Sequence, residues 1–318
     1  MNRIKFLLLT IVASASLFSC KKDDDSVYVA PPRDRATQYA ADLVSIEDYL
    51  HSHYLTVTTD THGNPIPSVN AIPTGGSQTS IWDQTQYPLQ FEMIKNDQRF
   101  YTDANPYVGE LIDDPVEYKV YYIKLREGSG DAPSQVDSTF ISYRGSNLSD
   151  VQFDYNANPI WLRQETLVAG WRKIMQKFKT GTATENPENP GNVIFADHGV
   201  GVMFIPSGLG YFDTPRTNLP AYSPMVFTFN LIGVRYQDTD GDGILSIMED
   251  LNGNGDLYDD DTDGDGIPNF LDNDDDGDGF LTLMEISDSF GNKYPFDLIP
   301  NCQGTTGGLK KHLDPSCQ

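Results

Sequence analysis

Basic residues are scarce in this chain. There are 22 Lys plus Arg against 46 Asp plus Glu, for a formal net charge of −24 over 318 residues. An acidic surface repels phosphate, which argues against a nucleic-acid partner. Between Asp238 and Asp288 Lys and Arg are absent altogether, while Asp plus Glu number eighteen; taking eighteen from 24 leaves −6 for the rest of the chain. The acidity is therefore the property of one segment. Cysteine is also rare, with Cys20, Cys302 and Cys317 as the full set. Long apolar runs are missing too: the one sustained stretch, "FLLLTIVASASLF" at 6–18, is too short for a comfortable membrane span. The length suits one or two domains with a real core.

What is present begins with a targeting segment. Residues 1–19 have a basic start (Arg3, Lys5), the apolar run and then Cys20. "LFSC" resembles a bacterial lipobox, which implies cleavage before Cys20 and lipid on that cysteine. The following "KKDDD" resembles the export tag of surface lipoproteins in Bacteroidetes-type bacteria. The expected setting is the cell envelope, with a lipid anchor in the outer membrane and exposure at the surface. Such a compartment permits a disulfide between Cys302 and Cys317. Residues 20–35 read as a tether.

Helical spacing of Tyr39, Leu43, Ile46, Leu50 and Tyr54 predicts an amphipathic helix in a region taken as 36–118. Residues 56–90 are rich in Thr, Gly, Pro and Ser and read as loops with short strands. "FEMIKN" and "YKVYYIKL" alternate as strands do. From 119 to 236, "STFISY" and "PMVFTFNLIGV" read as strands and "ETLVAGWRKIMQKF" as a single helix, an α+β pattern. The acidic block, 237–289, offers no second apolar core, and 290–318 is a tail.

Residues 120–236 resemble the FKBP family of peptidyl-prolyl isomerases. "REGSGDAPSQVDSTFISYRG" is similar to the family's opening, with Gly128, Gly130 and Pro133 before a strand ending in Tyr143 and Gly145. "LSDVQFD" resembles the next strand, ending in Phe153 and Asp154. "TLVAGW" resembles the helix entry, with Leu167, Val168, Gly170 and Trp171, and Gly181 follows ten residues later. "IPSGLGY" ends in the pocket tyrosine, Tyr211, and "LPAYSPMVFTFNLIGV" supplies Leu219, Pro220 and Phe227. The resemblance implies an antiparallel sheet wrapped around one helix. It also implies a site built from Tyr143, Phe153, Asp154, Leu167, Val168, Trp171, Tyr211, Leu219 and Phe227, acting on prolyl-containing polypeptides. Four departures stand out. Phe212 follows the loop tyrosine where the family usually has Gly, and Ala221 replaces a proline. The hairpin between Asp154 and Ile160 is short and lacks the rim arginine. An insertion occupies about 182–200, with an Asp197–His198 pair that reads as solvated or structural.

The chemistry agrees with such a site. Rotation about a prolyl amide faces a barrier of ~18–20 kcal/mol from resonance. The planar amide is more polar than the twisted one, so an apolar cavity that strips water from the carbonyl favours the twisted form. Trp171 would be the floor, and Tyr211 would hydrogen-bond the substrate carbonyl. Neither a nucleophile nor a cofactor is needed for this step.

The acidic block carries a phased pattern. Asp238, Asp240, Asp242, Gly243 and Glu249 occupy positions 1, 3, 5, 6 and 12 of a calcium loop, with Ile244 offering its carbonyl at position 7. Asp250, Asn252, Asn254 and Asp261 form a weaker second loop. Asp261, Asp263, Asp265 and Asp272 form a third. Asp274, Asp276, Asp278, Phe280 and Glu285 form a fourth, the loop starts lying 12, 11 and 13 residues apart. That crowding leaves no room for EF-hand helices, and Pro268 opposes one. The block resembles thrombospondin type-3 repeats, which implies structural Ca²⁺ in an array with little regular secondary structure, disordered without cation. The first and last loops, ending in Glu, are expected to bind most tightly, within the ~10⁻⁴–10⁻³ M range of extracellular modules. The expected activity is peptidyl-prolyl isomerisation, with chaperone character, on envelope or exported proteins. The alternative is a catalytically weak surface binding protein that uses the pocket or insertion to recognise surface or matrix partners.

Overall fold

Alternation along "EYKVYYIKLR" places Val120 and Tyr122 on one face of a strand and Tyr121 and Ile123 on the other, and both faces are buried. A strand buried on both sides must be covered from both sides, and that requirement organises the fold. The computed structural model of the protein describes residues 31–102, 108–187, 189–191 and 193–317. The expected signal segment and Cys20 lie outside them. Among the described residues no helix is long and apolar enough to cross a membrane.

Helix α1, Arg35–Ser52, starts at Asp34, whose side chain accepts from the Thr37 N–H at 2.8 Å. Tyr54, expected within it, belongs instead to strand β1, His53–Thr59, because the β-branched "TVTT" favours extended backbone. β1 pairs with β2, Pro65–Ala71, as an antiparallel hairpin in the region read as loops with short strands. Next come β3 (Leu89–Lys95), the short pair β4 (Arg99–Phe100) and β5 (Glu110–Leu111), and β6 (Glu117–Arg126). β7 (Ser138–Asn147) and β8 (Gln152–Arg163) follow, then helix α2 (Ala169–Met175). β9 (Thr182–Glu185), β10 (Val193–Ala196), β11 (Gly199–Ile205) and β12 (Met225–Arg235) complete the strands.

Six of these strands form one antiparallel sheet in the order β3-β6-β11-β12-β7-β8. β3 pairs with β6 along its whole length, so the sheet runs across the boundary expected at 118/119. One face carries α2 over Val120, Tyr122, Met203, Phe227, Phe229 and Leu231. The other carries α1, through Ile46, Tyr49 and Leu50, over Tyr121, Ile123, Val202, Phe204 and Val226. The sheet thus has a helix on each face: the resemblance implied one, and the predicted N-terminal helix covers the other.

α2 is shorter than "ETLVAGWRKIMQKF" implied. A 3-10 turn at Gln164–Thr166 precedes it, and Leu167 and Val168 are extended. At its end the Lys177 and Phe178 N–H groups bond back to Ile174 and Met175 at 2.9 and 3.1 Å, tightening the last turn. The insertion is the β9–β10 hairpin, and its Phe195 ring lies 5.9 Å from Phe140.

The acidic block contains only 3-10 turns and the four-residue helix α3, Thr282–Glu285. It does have small apolar clusters, which the sequence did not suggest. Leu257 and Phe270 bury themselves against Val136 of the sheet domain, and Ile244, Ile286 and Ile299 pack together. Gln237 N–H donates to the buried Asp137 carboxylate at 2.9 Å, and Arg99 lies 4.2 Å from the Tyr258 ring. A disulfide joins Cys302 to Cys317.

Candidate functional site

Tyr143 and Phe227 face α2 from neighbouring strands, and Trp171 rises from α2 to meet them. The Trp171 ring packs edge-on against Phe227 at 4.9 Å and Tyr143 at 5.5 Å between centroids. Around them a cavity of about 70 Å³ is lined by Tyr143, Asp154, Leu162, Leu167, Val168, Trp171, Tyr211 and Phe227. It has room for one small ring. Seven of the nine residues expected from the sequence line it. Phe153 stands one layer behind, its ring 5.5 Å from Phe227, and Leu219 is buried in the core. Gly145 permits this stacking, since a Cβ there would lie 2.5 Å from a Phe227 ring carbon.

Leu162 was not foreseen. The register of β7 and β8 shifts between Ile141 and Tyr143, leaving residues 157–159 as a bulge in place of the expected hairpin. β8 therefore runs on past the bulge and brings Leu162 to the pocket wall. No described residue of the 182–200 insertion lines the cavity.

The two pocket hydroxyls are in different states. Tyr143 donates to Asp154 Oδ2 at 2.9 Å and accepts from Asn156 Nδ2 at 3.1 Å. Burial, and then Asp154, push its pKa up to about 12. Burial also raises the pKa of Tyr211, against the pull of the Arg216 guanidinium 4.5 Å from its ring. The Tyr211 hydroxyl has no hydrogen-bond partner among the described residues, and it is protonated at neutral pH. It is the pocket's available hydroxyl, beside the buried and unpartnered Trp171 Nε1–H.

The loop that presents Tyr211 is held by α1, a role the sequence did not reveal. Buried Asp42 accepts from the Ser207 N–H and Oγ at 2.7 and 2.6 Å, and from Gln38 Nε2 at 2.7 Å. Phe212 adopts φ +45° where glycine was expected. Its ring is clamped between Arg35, at 4.2 Å, and Tyr222, at 5.1 Å. Gly208 sits so close to Tyr118 that a Cβ would meet the phenol oxygen at 2.2 Å. Asp42→Ala should therefore cost about 2–4 kcal/mol, by leaving Ser207 N–H unpaired in the interior. Equilibrium denaturation of the intact chain measures this, and the Tyr211 loop should lose hydrogen-exchange protection first.

The acidic residues form a second site. Ligand oxygens of Asp238, Asp240 and Asp242 lie within 4.8 Å of one another, as do those of Asp261, Asp263 and Asp265, and those of Asp274, Asp276 and Asp278. Asp240 Oδ2, Asp242 Oδ2, Asp278 Oδ2 and both oxygens of Glu249 and Glu285 are buried without a hydrogen-bond partner. An all-oxygen donor set with buried, unpartnered carboxylates fits a hard cation such as Ca²⁺. Ile244 and Phe280 follow directly, their N–H groups held by Asp242 and Asp278 at 2.7 and 2.8 Å. Asp272 is raised in pKa by burial, then by Asp265 and Asp263. The second loop differs. Asn252 and Asn254 donate to Asp259 and Asp260 at 2.7–3.1 Å, so their amides are engaged within the block.

Burial and neighbouring carboxylates hold Glu249 at about 10, Asp275 at about 9 and Glu285 at about 8. These folded values exceed the unfolded ones of 4.5 for Glu and 3.8 for Asp. Without cation, the stability these groups contribute is present below about pH 4 and is lost as pH rises through about 8 to 10. In chelator, residues 237–289 should resist protease better at pH 4.5 than at pH 8.5. With calcium the order should reverse, because the ion requires the ionised carboxylates.

Residues 239–307 match the family model described as BamM C-terminal. No curated protein matches the chain. Solved structures similar to it include a peptidyl-prolyl cis-trans isomerase from Pseudomonas syringae, at 22% identity and TM-score 0.30, covering 36% of this chain and 74% of that one. FkpA from Escherichia coli is similar at 22% identity and TM-score 0.30, over 36% of this chain and 48% of that one. The N-terminal domain of FKBP42 from Arabidopsis thaliana is similar at 19% identity and TM-score 0.30, over 41% of this chain and 98% of that one.

Proposed function

We propose that residues 119–236 act as an FKBP-type peptidyl-prolyl cis–trans isomerase on envelope or exported proteins, and that calcium stiffens residues 237–289. The observation that carries the reading is the small aromatic cavity over Trp171, with one free hydroxyl, Tyr211, at its wall. A prolyl ring would enter between Tyr143, Trp171 and Phe227. The amide carbonyl would lose water against these rings, which disfavours the planar, more polar state. Tyr211 would hold the carbonyl oxygen while the bond turns, and Asp154, engaged by Tyr143, keeps that ring upright. No bond is broken, so differential binding of the twisted amide is the whole of the catalysis. The lipid anchor at Cys20 remains part of the proposal, and the BamM C-terminal match supports an outer-membrane setting.

Titration with a short Xaa–Pro peptide tests the pocket. The Trp171 indole resonance should move with the prolyl peptide and stay put with its Xaa–Ala counterpart. Equal responses to both would overturn the assignment.

A further inference from the structure

Aligned on their first residues, the four loops hold Thr239, Leu251, Thr262 and Asp275 at position 2. Position 2 has a backbone task in three of them. The Thr239, Thr262 and Asp275 N–H groups donate to the side chains of Ser246, Asn269 and Thr282 at 3.2, 2.9 and 3.1 Å. The backbone of Asp275 thus follows the repeat, but its carboxylate lies outside the loop's own set of alternate ligands. It is 2% exposed, and neither oxygen has a hydrogen-bond partner. It lies instead with Asp242 and Glu249 of the first loop, ligand oxygens of the three within 4.8 Å of one another. Those two are also 2% exposed, and three of their four oxygens are unpartnered.

Three carboxylates packed together out of water repel one another, and each costs several kcal/mol to desolvate unless a cation compensates. Nothing in the loop pattern requires an acid at position 2. A divalent ion that takes six to eight oxygens in flexible geometry does. We propose that Asp275 is a ligand which the fourth loop supplies to the first loop's calcium ion, so that one ion ties the two ends of the array together. Ile244 of the first loop and Ile286, directly after the fourth, share one apolar cluster with Ile299, the apolar counterpart of that tie. The inference rests on the calcium reading above. It adds that the loops do not load independently.

Calcium titration of the full chain by calorimetry, with Asp275→Asn and Asp240→Asn, tests it. Asp275→Asn should weaken one site by about tenfold or more. In the Asp240→Asn background, where the first site is already broken, it should change calcium binding no further. Thermal melts supply a readout with a sign: Asp275→Asn should stabilise the metal-free chain by removing a carboxyl that is costly to bury without a cation, and destabilise the calcium-loaded one. Additive losses in the double variant, or unchanged binding in the single one, would overturn the shared ligand while leaving the calcium reading intact. An intact chain that binds no calcium would remove both.

Discussion

Chelation of the intact chain should open residues 237–289 to protease while the six-stranded sheet stays folded. The block has little else to hold it. Its apolar clusters number three buried residues each, one of which belongs to the sheet domain. Against that stand the ordering of some fifty residues and the repulsion of the buried carboxylates of Asp242, Glu249, Asp275, Asp276 and Glu285. Calcium at ~100 times its Kd stabilises the folded state by about 2.7 kcal/mol per site. On the calcium reading proposed above, three converging clusters would make cation the dominant stabiliser of this segment. Limited proteolysis in chelator should cut within 237–289 first, and excess calcium should abolish those cuts. The fragment that remains should keep a cooperative melt, because α1, α2 and the sheet bury their own clusters. Equal protease resistance with and without calcium would contradict this account.

Replacing Trp171 with leucine should abolish most prolyl-isomerase turnover. The indole touches Tyr143, Phe227 and Phe229, and it floors the cavity. Leucine refills part of that volume, so the fold should lose less than the ~3–5 kcal/mol of a Trp→Ala change. The prolyl ring, however, would lose the flat surface it packs on. Tyr211→Phe is the finer test, because it removes one oxygen that no other described residue engages. Loss of a single neutral hydrogen bond is worth about 0.5–1.5 kcal/mol, so kcat/KM should fall by up to about tenfold with stability unchanged. A Tyr211→Phe chain with full activity would take the carbonyl donor out of the mechanism. Full activity in Trp171→Leu would move the site elsewhere.

The pocket was legible through the resemblance to FKBP domains, whose landmarks fall in short segments that can be matched residue by residue. Tyr143 and Gly145 close one strand, Val168 and Trp171 open one helix, and Tyr211 ends one loop. What stayed hidden depends on partners distant in sequence. Asp42 holds Ser207 across 165 residues, and nothing near Asp42 in the chain announces that contact. Leu162 reaches the wall only because β8 bulges opposite Ser142. Tyr54 continued a helical spacing, but local β-branching ended the helix two residues earlier. Asp275 read as one more acid in an acidic run until the fold set it against Glu249. Periodicity reports which face a residue occupies within its own element, and it is silent on which loop will be folded against it.

Exchange NMR on an Xaa–Pro peptide tests the central claim most directly. Uncatalysed interconversion takes tens to hundreds of seconds at 25 °C. The intact, calcium-loaded chain is predicted to bring cis–trans exchange onto the millisecond-to-second scale at substoichiometric concentration, and Trp171→Leu to return it toward the uncatalysed rate. Exchange that stays at the uncatalysed rate with the intact chain present would contradict the claim that this pocket is an isomerase.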